Sequence, residues 1–162
     1  MRQLVLFRHA KAATDSDTGE DVDRALAPRG RSDAPVTAKA LAEAGADPQI
    51  VLVSGARRTR ETWELAAPAF RPTTVHFVDR LYLAPADVLL RLAEEAGVER
   101  VMVVAHNPGI HELASRLAHR MNALELKVRA KFPTAAGAIF TRKDETSSWK
   151  LQDFITPKDA AD

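Results

Sequence analysis

Short runs of consecutive apolar residues recur along the chain. Residues 4–7, 50–53 and 101–104 each hold four apolar side chains in a row, most of them branched. An uninterrupted run of this length is typical of a strand that is buried on both faces, as the strands of parallel sheets are. The pattern therefore predicts three central strands. Weaker patterns predict a further strand within residues 75–81 and a C-terminal strand pair, 136–141 and 149–154.

Four stretches that suit helices, residues 36–44, 57–67, 85–96 and 107–117, separate the predicted strands. In three of them apolar side chains recur every three or four positions, and the stretch 57–67 ends before a proline. Strands that alternate with helices predict an α/β fold, in which a mainly parallel central sheet carries helices on both faces.

Prolines and capping residues predict where two of these helices begin. Pro35 is tolerated only in a first helical turn. The first helix therefore begins near Ser32, or it begins earlier and is irregular at Pro35. Asn107 and Pro108 predict the N-cap and the first helical position of the last helix of the four.

The 162 residues fit one domain of ordinary size, which we place at residues 1–156. The polar tail, residues 157–162, is expected to be frayed. Residues 12–27 are acidic and poor in apolar side chains, so they predict a long loop, and loops of that length are commonly functional. No apolar run approaches the length of a secretory signal or a membrane span. We therefore expect a cytoplasmic protein that does not bind membranes.

Composition excludes several classes of function. The chain has no cysteine, which rules out disulfides, iron–sulfur clusters, thiolate zinc sites and a cysteine-dependent phosphatase. Its 23 basic and 22 acidic residues give a net charge of +1, which argues against a nucleic-acid binder. An RNA binder would use the basic alternation at residues 127–131. That stretch reads more simply as the solvated face of an edge strand, without aromatic rings to stack bases.

Cationic and polar side chains follow all three central strands. Ligands of open α/β sheets bind beyond the carboxyl ends of the strands, and helix N-termini there favour anions. A single arginine or histidine at a strand end is commonly solvated or structural, but three matched strand ends predict a site for a phosphoryl group. Arginine suits this site because its planar fork matches phosphate oxygens. The side chains are Arg8 and His9 after the first strand, Ser54, Arg57, Arg58 and Arg60 after the second, and His106 after the third.

Four motifs in this order resemble the histidine phosphatase superfamily. Residues 6–10, Leu-Phe-Arg-His-Ala, are similar to its Arg-His-Gly signature, and residues 54–62 to its Ser-Pro-x-x-Arg-Ala-x-x-Thr element. Residues 105–109, Ala-His-Asn-Pro-Gly, are similar to its Gly-His-Asn-Pro element, and residues 24–30 to its Arg-x-Leu-(three residues)-Gly stretch. The short length and residues 80–84 resemble most the SixA-type phosphohistidine phosphatase branch.

The resemblance implies a phosphoglycerate mutase-like fold and a catalytic set. His9 would be the nucleophile that becomes transiently phosphorylated, and Arg8, Arg58 and His106 would bind the phosphoryl oxygens. The chain departs from the family pattern where Ala10, Gly55 and Ala105 replace glycine, proline and glycine. None of these changes removes a catalytic side chain.

Neutral imidazole is abundant at pH 7, so His9 can attack phosphorus in line while a backbone carbonyl holds its other ring nitrogen. We expect a phosphatase that needs no metal and no other cofactor, since phosphoryl transfer asks chiefly for positioning and charge stabilisation. His111 and Glu112 imitate the start of a zinc-binding helix, but the second histidine of that motif is missing.

The substrate class depends on the leaving group. Branches of the family that act on phosphate esters carry a glutamate near the position that Asp79 occupies here. Asp79 and the loop acids Asp15, Asp17 and Glu20 are candidate acids, although such residues are commonly caps or solvated. The missing glutamate favours phosphohistidine or another activated phosphoryl substrate, with Tyr82 and the loop 12–27 controlling access.

Several alternatives stay open at this stage. The protein is a phosphatase of a phosphorylated protein, or of a small-molecule phosphomonoester such as a sugar phosphate. Alternatively, it is an inactive module that binds phosphorylated ligands or acts as a scaffold. The residues do not indicate an oligomeric state.

Overall fold

Six strands pair into one sheet in the computed structural model, which describes residues 1–162. The spatial order of the strands is β3-β2-β4-β1-β5-β6. The strands are β1 (Gln3–Arg8), β2 (Ile50–Ser54), β3 (Thr74–Val78), β4 (Arg100–Ala105), β5 (Gly137–Thr141) and β6 (Lys150–Ile155).

The direction of the strands confirms the predicted α/β fold. Strand β4 is parallel to both of its neighbours, β1 and β2, and β2 is parallel to β3. Strand β5 is antiparallel to β1 and β6. Only β5 therefore runs against the others. Because β4 lies between β1 and β2, the carboxyl ends of these three strands are adjacent at one edge of the sheet.

Helices cover both faces of the sheet, as predicted. The helices are α1 (Pro28–Glu43), α2 (Arg57–Ala66), α3 (Ala86–Glu95), α4 (Gly109–Leu117), α5 (Ala123–Ala130) and α6 (Pro157–Ala161). Alternate residues of each strand point to opposite faces. Val5 and Phe7 pack in the cluster with α1 and α2, whereas Leu4 and Leu6 pack in the cluster with α3, α4 and α5. Both faces of the central strands are buried, which explains why these strands are uninterrupted apolar runs.

Two helix starts differ in detail from the sequence pattern. Helix α1 begins at Pro28, and Pro35 lies inside it, so the earlier of the two predicted starts is the observed one. The predicted cap at Asn107 is wrong, because helix α4 begins at Gly109 with Pro108 as its N-cap. The side chain of Asn107 instead donates a hydrogen bond to the carbonyl of Phe132, 3.0 Å away.

The basic stretch 127–131 lies largely in helix α5 and is not an edge strand. Leu124 and Val128 are one helical turn apart and both pack on the core, which the alternation of charges conceals. Asn122 caps the helix by accepting a hydrogen bond from the main chain of Glu125.

The C-terminal tail, predicted as frayed at 157–162, is helical at Pro157–Ala161. The side chains of Thr156 and Asp159 form a reciprocal capping box at its start. Lys127 also reaches Asp159 at 2.8 Å and ties the helix to α5. The division into one domain at residues 1–156 and a tail stays a prediction. Among the helices, none is long and apolar enough to cross a membrane.

Candidate active site

The ends of β1, β2 and β4 bring the predicted residues together. The ring centroids of His9 and His106 are 5.3 Å apart, and the ring of Tyr82 stands edge-on to His106 at 5.4 Å. The guanidinium carbon of Arg58 lies 5.9 Å from the centroid of the Tyr82 ring. The charges of Arg58 and Arg8 act on both imidazoles. Residues that are far apart in sequence thus form one cationic cluster, and their catalytic roles stay a prediction.

His9 is held in one orientation and one tautomer. Its main-chain N–H donates to the carbonyl of Ala105, and its carbonyl accepts from the N–H of Ala135. The ring atom Nδ1 lies 2.8 Å from the carbonyl oxygen of Ala10. A carbonyl can only accept, so Nδ1 carries the proton and Nε2 keeps its lone pair. The structure therefore contains the expected bond between the ring of His9 and a backbone carbonyl.

His106 is fixed from β2 by Ser54. Its Nε2 lies 2.7 Å from the hydroxyl oxygen of Ser54, and its Nδ1 has no partner in the protein although it is buried. When the hydroxyl donates to Nε2, the proton of the neutral ring resides on Nδ1. This tautomer presents a donor to a bound oxyanion. This contact gives Ser54 a structural role beside His106.

Both imidazoles are neutral at pH 7. Burial lowers the pKa of His9 to about 3, and repulsion from His106, Arg58 and Arg8 acts in the same direction. Burial likewise lowers the pKa of His106 to about 3, helped by the charges of Arg58 and Arg8 and opposed by Asp21. A neutral His9 has the lone pair that a nucleophile needs.

The two arginines are each anchored by part of the guanidinium. Arg58 is buried, and its two terminal nitrogens donate to Asp21, one to the carbonyl at 2.9 Å and one to the carboxylate at 3.0 Å. Arg8 donates from Nη1 to the carbonyl of Phe132 at 3.0 Å. The Nε atoms of both arginines are buried and have no partner in the protein. Each side chain is thus positioned, while the N–H at Nε has no partner in the protein and is a donor for an anion.

The other basic residues of α2 point elsewhere. Arg57 pairs with Glu61 and with Asp17 on the surface. Arg60 donates to the carbonyl of Gly55 and lies over the ring of Phe77 at 4.3 Å. Arg58 is therefore the one member of this basic run that joins the cluster.

Thr62 and Gly55 explain two features of the sequence motif. The hydroxyl of Thr62 accepts from the N–H of Ala10 at 2.9 Å and donates to the carbonyl of Arg58 at 2.7 Å, so it fastens α2 to the segment that follows His9. A Cβ atom at position 55 would lie 2.2 Å from the carboxylate of Asp79. A side chain at position 55 would therefore clash with Asp79, which is consistent with glycine in place of the proline of the family motif. The candidate acid Asp79 packs against Gly55.

Sequence reasoning missed Asp21, which bonds to both Arg58 and Tyr82. Nothing distinguishes it in the sequence from the other acids of the loop. Asp15, Asp17 and Glu20 are exposed. No group of three or more histidine and acidic side chains is arranged to hold a metal ion.

Acid is expected to weaken the fold through the two buried histidines. A histidine of an unfolded chain has a pKa of 6.5, whereas the pKa of His9 and of His106 is about 3 in the folded protein. Between these values the unfolded chain binds more protons, so the free energy of unfolding falls as the pH falls. Full stability is present above pH 6.5, and each histidine contributes a slope of about 1.4 kcal/mol per pH unit below it. Urea unfolding at a series of pH values measures this slope.

A matched pair of variants separates this effect from general acid sensitivity. His106→Gln removes one of the two contributions and is expected to reduce the slope by about 1.4 kcal/mol per pH unit. His119→Gln changes an exposed histidine and leaves the slope unchanged. An unaltered slope in His106→Gln contradicts the lowered pKa of His106.

Comparison with known proteins agrees with this geometry. Residues 4–82 match the family model of the histidine phosphatase superfamily, branch 1. A protein of Agrobacterium tumefaciens named as the phosphohistidine phosphatase SixA has a similar structure, with a TM-score of 0.82 and 30% identity over 96% of this chain and 99% of that one. The protein histidine phosphatase SixA complexed with tungstate has a TM-score of 0.76 and 25% identity over 96% of this chain and 97% of that one.

An uncharacterised chloroplastic protein of Arabidopsis thaliana is 30% identical over 172 aligned residues, which cover 96% of this chain and 78% of the relative. The similarity thus extends well beyond the segment that the family model matches, and includes β4 and His106. The chain therefore belongs to the histidine phosphatase superfamily, branch 1, and is a phosphatase.

Proposed function

We propose that the chain hydrolyses phosphohistidine on a phosphorylated protein, through a transient phosphohistidine on His9 and without a metal ion. The observation that carries this proposal is the hydrogen bond from Nδ1 of His9 to the carbonyl of Ala10. It leaves the lone pair of Nε2 free within a buried cationic cluster. A nucleophile with an adjacent oxyanion site is the arrangement that a covalent phosphoryl transfer requires.

The reaction has two displacements at phosphorus. In the first, Nε2 of His9 forms a bond to phosphorus while the bond from phosphorus to the substrate nitrogen breaks. Arg8, Arg58 and His106 donate hydrogen bonds to the phosphoryl oxygens. In the second, a water oxygen bonds to phosphorus, and the bond to Nε2 breaks and returns its electron pair to the ring. The water gives up a proton to solvent as inorganic phosphate forms.

Two findings favour phosphohistidine over phosphate esters. The two similar structures described above are named as phosphohistidine or protein histidine phosphatases, and one holds tungstate, an oxyanion similar to phosphate. In addition, Asp79 stands near the position of the glutamate that ester-hydrolysing branches carry, and it packs against Gly55. A phosphomonoester needs a proton donor for its alkoxide, whereas an imidazole leaves more easily. A phosphorylated protein is accordingly the partner we propose, and a cytoplasmic location stays a prediction.

The test is hydrolysis of a protein phosphorylated on histidine, with chelator present, followed by acid and alkaline quenching of the enzyme. We expect turnover and a phosphoenzyme that acid destroys and alkali preserves. Tungstate should inhibit by competition. An inactive binding module would instead retain phosphorylated ligands without turnover and without any labelled enzyme.

The rival phosphatase of small-molecule phosphomonoesters is distinguished by the same assay. We expect kcat/KM for the phosphorylated protein to exceed kcat/KM for sugar phosphates by at least about 100-fold, because the glutamate of the ester-hydrolysing branches is missing and an alkoxide needs such a proton donor. A preference for a sugar phosphate contradicts the proposed substrate class and leaves the mechanism through His9 standing.

A further inference from the structure

Asp21 is charged and contacts the site, but neither of the two displacements at phosphorus gives it a role. Its carboxylate accepts hydrogen bonds from Arg58 at 3.0 Å, from Arg24 at 3.0 Å and from the hydroxyl of Tyr82. The side chain of Asp21 is 46% exposed, whereas that of Arg58 is 3% exposed. Asp21 thus lies where the buried cluster meets solvent.

The contacts run in order from the buried His9 to the partly exposed Asp21. His9 lies at the floor, 7% exposed, and its ring contacts His106, which contacts Tyr82. Tyr82 in turn bonds to Asp21 at the rim. In an in-line displacement the leaving group departs on the side of phosphorus opposite the nucleophile. A leaving group that belongs to a protein must also point to solvent, and Tyr82 and Asp21 form the solvent-exposed end of this series of contacts.

A carboxylate at this rim can stabilise a protonated imidazole as the leaving group, whereas it gives no such help to an alkoxide. Phosphohistidine can carry a proton on the ring nitrogen that is not bonded to phosphorus. In that form the N–P bond breaks with its electron pair going to the ring, and neutral imidazole leaves without a further proton. His9 takes up the positive charge as its Nε2 bonds to phosphorus and its Nδ1 keeps its proton. A carboxylate beside the distal N–H stabilises the protonated substrate.

Asp21 stays ionised under these conditions. The hydrogen bond from Tyr82 lowers the pKa of Asp21 to about 2, with further contributions from Arg58 and Arg24 that outweigh its partial burial. The group is therefore an acceptor at neutral pH and carries no proton to give to an alkoxide.

We propose that Asp21, held by Arg58 and Tyr82, is a specificity-determining residue that selects imidazole as the leaving group. The inference rests on the proposed function and adds the group that distinguishes N–P from O–P substrates. Asp21→Asn tests it, because the amide oxygen still accepts from Arg58 while the negative charge is removed. Asp17→Asn is the matched control, since Asp17 is an acid of the same loop that pairs with Arg57 at 3.6 Å and does not contact Arg58.

The experiment compares kcat/KM for phosphoimidazole and for phenyl phosphate between pH 5 and pH 8. In Asp21→Asn the ratio of the two is expected to fall by about tenfold, the effect of one partly screened charge at hydrogen-bond range. The fall should come from phosphoimidazole, with the apparent pKa of its profile shifted to lower pH. Asp17→Asn should keep the ratio and the profile of the unsubstituted protein.

Equal losses on both substrates in Asp21→Asn, including complete loss, overturn the inference, because Asp21 then acts only by positioning Arg58. An unchanged ratio overturns it as well. Failure of the proposed function looks different, since the unsubstituted protein would then prefer phenyl phosphate to phosphoimidazole before any substitution is made.

Discussion

Replacing His9 by alanine is expected to lower kcat/KM for phosphoimidazole by about 10⁴-fold or more, the cost of losing a nucleophile. Nε2 of His9 is the unprotonated ring nitrogen that the hydrogen bond to Ala10 leaves free. Arg8, Arg58 and His106 would still bind the phosphoryl group, so affinity for tungstate should survive the substitution. Steady-state kinetics and a tungstate titration measure the two quantities separately.

The fold of His9→Ala should be retained, which makes the loss of activity interpretable. The main chain of His9 is held by Ala105 and Ala135, and neither bond uses the side chain. The variant should also tolerate acid better than the unsubstituted protein, because it lacks one buried histidine with a lowered pKa. His119→Ala, at an exposed histidine, is the control and should keep full activity. Residual turnover above about 1% in His9→Ala would show that another group attacks phosphorus.

The convergence of the site was predictable because it follows from topology. Apolar runs identify the three central strands, and parallel strands must present their carboxyl ends at one edge. Arg8, His9 and His106 immediately follow such ends, so their proximity needs no knowledge of side-chain contacts. Arg58 was predictable only as one of three arginines, since the direction of each depends on the orientation of helix α2. The structure resolves this by placing Arg57 and Arg60 on the surface.

Asp21 could not be predicted because it acts from an irregular loop. Periodicity carries no information there, and its neighbours include acids of the same type. What sets it apart is the path of the chain, which brings the short turn Asp21–Asp23 against helix α2. The same limit applied to helix α5, where alternating charges masked the apolar pair Leu124 and Val128. The local pattern of apolar residues identifies helices and strands that bury apolar side chains at regular spacing. Single contacts made by loop residues depend on tertiary packing, which that pattern does not contain.

The site holds like charges together at a cost that binding of an anion offsets. Repulsion from Arg58 and Arg8 adds to the effect of burial in lowering the pKa of His9 and of His106. Burial, and then the charge of Arg58, lowers the pKa of Arg8. A bound phosphoryl dianion attracts the same cationic groups that repel one another in the free protein. It therefore binds where the free protein holds like charges together. Functional sites commonly sacrifice stability in this way.

Arg58→Met is the sharpest test of this conflict between activity and stability. Methionine fills much of the same volume without charge, so kcat/KM should fall by about 10²–10³-fold through lost oxyanion stabilisation. Stability should stay within about 1 kcal/mol of the unsubstituted protein or rise, because a buried cation is removed and its partner Asp21 is already partly solvated. The pKa of His9 and of His106 should rise, since Arg58 depresses both. Kinetics, urea unfolding and NMR titration of the imidazoles measure the three effects.

Arg57→Met is the matched control one residue away on the same helix. Arg57 is exposed and pairs only with Glu61 and Asp17 at the surface, so its loss should leave the kinetics and both imidazole pKa values unchanged. If Arg58→Met instead loses several kcal/mol of stability, about the cost of breaking a required buried ion pair, then the pair with Asp21 stabilises the fold and the charge cluster carries no net strain. If kcat/KM persists, the phosphoryl group is bound without Arg58, and the cationic cluster is not the site of catalysis.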